Sequence, residues 1–179
     1  EGLDQAVASS QGRVVVGCFA SNIARLDTLA KIAKKNDRYL TLLGRSLKEM
    51  ARSAKATGYL EDEFETISSH DLGFLPPEEV MIIATGSQGE PNAALEKLAS
   101  LCHRDIHLDA GDTIIFSSKT IPGNEKPIAQ LKAKFRSLGC EIVDEDNTRL
   151  PIHASGHPCQ SELEEMYAMV DAEIAIPVH

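Results

Sequence analysis

The sequence predicts an α/β fold: a three-layer sandwich whose mainly parallel sheet, Rossmann-like or flavodoxin-like in kind, is covered by helices on both faces. Two observations carry that prediction. Short runs that are apolar throughout recur along the chain, and longer segments with apolar residues at helical spacing separate them. A strand buried on both faces has no polar side, and parallel neighbours need a crossover long enough to hold a helix. At 179 residues the chain is long enough for a real core, and residues 1–179 are read as a single domain.

The first strand is "RVVVGCF" (13–19), dense in valine and too short for a helix. "SNIARLDTLAKIAKKN" follows, with Ile23, Leu26, Leu29, Ala30 and Ala33 on one helical stripe and Ser21 or Asn22 as its cap. "RYLTLLG" (38–44) reads as a strand, and "SLKEMARSAKATG" (46–58) as a helix stopped by Gly58. Residues 59–78 are polar and acidic and read as a helical turn plus loop. "VMIIATG" (80–86) is a strand, and "PNAALEKLASL" (91–101) a helix with proline in its first turn. "DTIIFSS" (112–118) is a strand, the segment 123–139 holds a helix ended by Gly139, and "CEIVDE" (140–145) is a strand. "QSELEEMYAMVDA" (160–172) reads as a helix opened by Ser161 with Glu164 at the capping-box spacing, and "EIAIPV" (173–178) as a last strand.

Composition excludes several classes of function. No apolar run reaches the roughly 18 residues of a membrane helix, and nothing at the start reads as a signal peptide. A net charge of −9 argues against a general nucleic-acid coat, though not against an enzyme with a few local phosphate contacts. The charge is uneven: residues 13–55 are strongly basic, and the acidic surplus lies at 61–65 and from 141 onward. Cys18, Cys102, Cys140 and Cys159 are scattered and form no C-x-x-C pair, so free thiols in a reducing, cytoplasmic compartment are expected.

In a parallel α/β sheet, ligands sit beyond the carboxyl ends of the strands. Four segments there are rich in Gly and Ser: "FASNIAR" (19–25), "ATGSQGEP" (84–91), "FSSKTIPGNE" (116–125) and "IHASGHP" (152–158). Small residues let a backbone approach a ligand closely, and helix N-termini offer N–H groups to anions, so a phosphate is the natural guest. None of the four is a Walker loop or a G-x-G-x-x-G fingerprint. Each also has an architectural explanation, since Gly-Ser turns join strands to helices for geometric reasons and Asn22 can serve as a helix cap alone.

Among the histidines, His70, His103 and His107 sit in polar surroundings and read as surface or structural residues. His153 and His157 have the i, i+4 spacing of a helical zinc pair, but Pro151, Gly156 and Pro158 rule out a helix through them. They are left as imidazoles in a Gly/Ser turn, within reach of a phosphate or a leaving group. His179 stands last, directly after the expected strand 173–178. A domain seldom stops on a strand, so the chain is expected to be part of a larger protein.

These motifs, in this order, resemble the β-CASP domain of bacterial ribonuclease J, a branch of the metallo-β-lactamase-fold nucleases. The resemblance runs from "RVVVGCFASNIARL" through "LLGRSL", "IIATGSQGEP" and "FSSKTIPGNE" to "LPIHASGHPCQSEL" and "IPVH". It implies a domain inserted into a metallo-β-lactamase domain, with RNA running between the two. That partner domain carries an H-x-H-x-D-H motif for two metal ions, usually zinc, with manganese or magnesium as alternatives; no such motif occurs in these 179 residues. The isolated piece is therefore expected to be inactive. By resemblance, His157 serves the cleavage step as general acid or charge stabiliser, and His179 completes the coordination of one metal ion. His153 and Ser155 match a pocket for the 5′-monophosphate of RNA, and Ser87, Gln88, Phe19, Ser21 and Asn22 face the RNA side. The implied activity is 5′-to-3′ exonucleolytic and endonucleolytic cleavage in RNA decay and processing, by a homodimer or homotetramer. The alternative, from another class, is a stand-alone α/β module that binds a nucleotide or phosphate without chemistry.

Overall fold

The computed structural model describes residues 1–60, 64–154 and 158–176. In chain order its elements are α1 (Gly2–Ser9), β1 (Val14–Gly17), α2 (Ile23–Lys35), β2 (Tyr39–Leu43) and α3 (Arg45–Ala56). Then come β3 (Val80–Ala84), α4 (Ala94–Ala99), β4 (Thr113–Phe116), α5 (Glu125–Ser137), β5 (Glu141–Val143) and α6 (Gln160–Val170). The five strands form one sheet in the order β2-β3-β1-β4-β5, and every pair in it is parallel.

Side chains alternate across the sheet, so each strand feeds two cores. Val14, Val16, Met81, Ile83 and Ile115 face one side, packed with Leu26, Leu29 and Ile32 of α2, Leu47 of α3, and Leu3 and Val7 of α1. Val15, Ile82, Ala84, Ile114 and Phe116 face the other, against Leu95 and Leu98 of α4 and Leu131 and Phe135 of α5. Each such fully buried Val, Leu, Ile, Met or Phe contributes about 1.5–3 kcal/mol of transfer free energy. Parallel crossovers are right-handed, so a connection that moves one way along the sheet lies on the opposite face from one that moves the other way. β1→β2 moves toward one edge, and β3→β4 and β4→β5 move toward the other. That places α2 on one face and α4 with α5 on the other.

The β2→β3 connection wraps around the β2 edge. Leu60 and Phe64 belong to the α2/α3 core, whereas Ile67, Leu72 and Leu75 pack on the α4/α5 side. On the way, the Ile67 N–H donates to Leu40 O at 2.9 Å and Thr41 Oγ1 donates to Ile67 O at 2.8 Å, which covers an otherwise open strand edge.

At the amino edge of the sheet two buried charged groups are held by hydrogen bonds. The Asp112 carboxylate accepts from the backbone N–H groups of Arg13 (2.8 Å) and Asp109 (2.9 Å) and from Arg13 Nη1 (3.2 Å). Buried Arg38 donates through Nη1 to Gly12 O and Val80 O and through Nη2 to Ser10 O.

Three elements differ from the sequence reading. Helix α1 was not among the predicted elements; its apolar stripe is only Leu3, Ala6 and Val7. Helix α4 is shorter than 91–101, because Asn92 and Leu101 adopt positive φ and bound it with turns. The strand expected over 173–178 does not form over 173–176, where Ile174 and Ile176 stand 79% and 82% exposed, and residues 177–179 lie outside the described residues. An extended apolar stretch becomes a strand only when a neighbour supplies its hydrogen bonds, and no described residue does so. Helix α6 buries none of its residues, although Met166, Tyr167, Met169 and Val170 are apolar.

Candidate functional site at the carboxyl edge of the sheet

The strand order brings the glycine- and serine-rich turns together. β3, β1 and β4 are adjacent, so the turns after them lie side by side at the carboxyl edge. The chain leaves β1 toward β2 and leaves neighbouring β4 toward β5, so the β1/β4 crevice is the topological switch point where ligands settle in such sheets.

After β1, Phe19 is 37% exposed, and Ser21 and Asn22 are exposed. Asn22 caps α2: its Oδ1 accepts from Arg25 N at 3.0 Å, which satisfies one of the orphan donors of the first turn. Below it, the Cys18 thiol is pushed up to about 11 by burial, against a smaller lowering effect of Arg25.

The "TGSQGEP" turn is packed inward. Ser87 and Gln88 are 2% and 4% exposed. Gln88 Nε2 donates to Lys119 O (3.1 Å) and Ser118 Oγ (3.4 Å), while its Oε1 accepts from Ile121 N (2.9 Å) and Asn124 Nδ2 (3.3 Å). An amide offers two donors and one oxygen with two lone pairs, so Gln88 is fully used as a clamp between the β3 and β4 turns. Gly89 makes this closeness possible: at φ 76° its added Cβ would stand 2.7 Å from the Pro127 backbone.

The β4 turn holds the other half of the crevice. Ser117 N donates to Gly17 O at 2.9 Å, and Ser117 Oγ donates to Ile152 O at 2.6 Å. Arg25, in the first turn of α2, donates through Nη1 to Ser117 Oγ and to Ile152 O, the latter at 2.9 Å. Arg25 and Ser117 thus fasten the segment before His153 to the switch point. The sequence reading named neither residue as a site. His153 itself is half-buried, and its Nδ1 is enclosed without a hydrogen-bond partner. Ser155, His157 and His179 lie outside the described residues.

The full length of the chain finds relatives. Residues 11–134 match the family model described as the β-CASP domain of ribonuclease J. The chain belongs to the ribonuclease J family. Ribonuclease J of Sinorhizobium meliloti is 40% identical over 179 residues, all of this chain and 31% of the relative. Ribonuclease J of Mycolicibacterium smegmatis is 35% identical and ribonuclease J2 of Bacillus subtilis 34% identical, each over 99% of this chain and 32% of its own length. This β-CASP chain therefore spans about a third of the relatives it matches.

The other histidines of the β-CASP domain have structural or surface positions. His103 Nδ1 accepts from Asp105 N and Ile106 N at 3.2 Å each, and burial lowers its pKa. His70 meets Phe74 edge-on, and His107 is exposed. Among the described residues no three His, Cys, Asp or Glu side chains gather as metal donors, so the described part of this domain does not by itself build a metal site. No helix among them is long and apolar enough to cross a membrane.

Proposed function

We propose that this β-CASP domain binds RNA and completes the active site of a metal-dependent ribonuclease that hydrolyses RNA both endonucleolytically and from the 5′ end. The supporting observation is the match of the whole chain to ribonucleases J, with its glycine- and serine-rich turns gathered at one switch point. A metallo-β-lactamase domain in the same polypeptide would hold two metal ions, zinc in the first instance, with His179 as this domain's contribution. The exposed apolar residues of α6, together with Ile174 and Ile176, offer that domain a surface to cover. The ions would supply an activated water and neutralise phosphoryl charge. The working compartment in this reading is the cytoplasm, and the assembly a homodimer or homotetramer.

Within this domain, His153 and Ser155 would receive the 5′-monophosphate. His157 would pass a proton to the departing 3′ oxygen. In the full-length polypeptide, His157→Ala should lower RNA cleavage at least ~100-fold and leave metal content unchanged by elemental analysis. His179→Ala should reduce metal content as well. Equal metal loss in the two variants would overturn these roles, and cleavage of RNA by residues 1–179 alone would overturn the division of labour between the domains.

A further inference from the structure

Helix α3 carries a row of cations that the fold leaves almost unpaired. Lys48, Arg52 and Lys55 follow one another at helical spacing, so they share one face of α3 and span about 10 Å along its axis. All three are exposed. Among the described residues Lys48 and Lys55 form no ion pair, and Arg52 reaches only Glu49, at 3.9 Å with both side chains largely in water. An exposed pair of that kind contributes little, and like charges at this spacing destabilise a helix. The row also runs against the sign of the whole chain, whose net charge is −9.

The row is the rim of a groove. Between α3, β2 and the segment 64–68 lies an open space of about 470 Å³, the size of an ordinary ligand pocket, with Leu42, Ala51 and Ile67 beneath the three cations. It stands at the β2 edge of the sheet, with β3 between that edge and β1, and so apart from the β1/β4 crevice. Two of its hydroxyls are already spent, Thr41 Oγ1 on Ile67 O and Ser68 Oγ on Asp71. The groove therefore offers positive charge along one side and aliphatic surface below.

A polynucleotide and an acidic peptide both match the charge, and the floor separates them. Sites for single-stranded nucleic acid stack bases on exposed aromatic rings. The aromatic residue lining this groove is Phe64, which is 5% exposed and has Lys55 Nζ over its ring at 5.6 Å from the centroid. Exposed Tyr59 lies beyond the end of α3 and does not line the groove. An extended peptide turns alternate side chains to opposite sides, so carboxylates can meet the cation row while aliphatic side chains meet the floor.

We propose that this groove docks an extended acidic segment of a separate protein, with carboxylate and aliphatic residues in alternation. Residues 171–176 of this chain, Asp-Ala-Glu-Ile-Ala-Ile, have the same alternation and are exposed. They lead to His179, which the proposed function gives to the metal centre of its own polypeptide, so a second copy would have to dismantle that centre to place them here. The choice of a separate protein rests on that reading, and the chemistry of the groove does not.

The test follows a dye-labelled synthetic peptide of alternating Glu and Leu by fluorescence anisotropy on the full-length polypeptide. Saturable binding is expected, weakening as salt is raised. The variant combining Lys48→Gln, Arg52→Gln and Lys55→Gln should lose affinity for the peptide at least ~10-fold, with the melting temperature and RNA cleavage rate of the parent. A peptide with Ser in place of Leu should bind several-fold more weakly, and one with Lys in place of Glu should not bind. No binding to the parent, or equal binding of the Glu/Leu and Glu/Ser peptides, would overturn the proposal. So would a single-stranded RNA that loses affinity in the variant as the peptide does, which marks a polynucleotide track. A fall in the mass of the assembly in the variant would overturn it too, as the mark of an interface between copies. Failure of the ribonuclease reading shows separately, as a parent protein that cuts no RNA.

Discussion

Gln88→Leu separates an architectural role from a ligand-binding one. Leucine keeps most of the buried volume and removes the amide. The two shorter bonds, to Ile121 N at 2.9 Å and Lys119 O at 3.1 Å, are lost outright, and the 3.3 and 3.4 Å contacts to Asn124 Nδ2 and Ser118 Oγ go with them. Neutral hydrogen bonds contribute about 0.5–1.5 kcal/mol each, and the longer pair counts at or below the low end. Lys119 and Ile121 are exposed residues, so water can reach part of what the amide leaves behind. The expected loss is then about 2–3 kcal/mol, which for a domain of this size lowers the melting temperature by ~4–12 °C. Thermal unfolding by circular dichroism measures it directly, alongside filter binding of a single-stranded RNA. A variant that melts within a degree of the parent yet binds RNA several-fold more weakly would refute the clamp. It would return Gln88 to the RNA-facing role that its place in a Gly/Ser turn suggests.

Other outcomes follow from the same geometry. Gly89→Ala combines a positive φ with a backbone clash against Pro127 and should destabilise by ~2–4 kcal/mol, read as a shift in the urea midpoint. His103 accepts two N–H groups at Nδ1, and burial lowers its pKa below the unfolded value. The unfolded state therefore takes up the proton first, and the stability from this residue, complete above about pH 6.5, is lost as pH falls. The parent should lose more stability than His103→Asn between pH 7.5 and 5.5, and parallel loss in the two would refute this. Thiol titration should find Cys102 and Cys159 reacting quickly, and Cys18 and Cys140 only on unfolding, because burial holds both of the latter at about 11. Cys159, lowered by its hydrogen bond with Ser161, should keep its reactivity at lower pH than an ordinary thiol.

The sheet was legible because its signal is local. Val14–Val16, Val80–Ala84 and Thr113–Phe116 are apolar on both faces, and their turns are marked by Gly and Ser within a few residues. Asn22 was legible as a cap for the same reason. The strand expected over 173–178 does not form over 173–176, because its existence depends on a neighbour and not on its own residues. Gln88 is a different case. A polar residue between glycines reads as ligand-facing, yet its partners lie 30–36 positions away. Arg25 and Ser117 were invisible as site residues because their bonds to Ile152 span 127 and 35 positions. The one available hint was local: a cation in the first turn of a helix, where an anion is the favoured charge.

The two edges of the sheet show why function is assigned to one of them. At the amino edge, Asp112 and Arg13 neutralise each other, and Arg38 closes its hydrogen bonds on three carbonyls. At the carboxyl edge, Arg25 spends only Nη1, on Ser117 Oγ and Ile152 O, and His153, the residue after Ile152, has a sealed Nδ1 without a partner. Natural sequences satisfy buried polar groups almost everywhere, and the exceptions concentrate where something else completes them. Of the two sealed polar atoms without a partner among the described residues, Thr113 Oγ1 lies at the amino end of β4 and His153 Nδ1 at the carboxyl edge, so the contrast between the edges rests on the half-used guanidinium of Arg25 and not on a count of orphaned atoms.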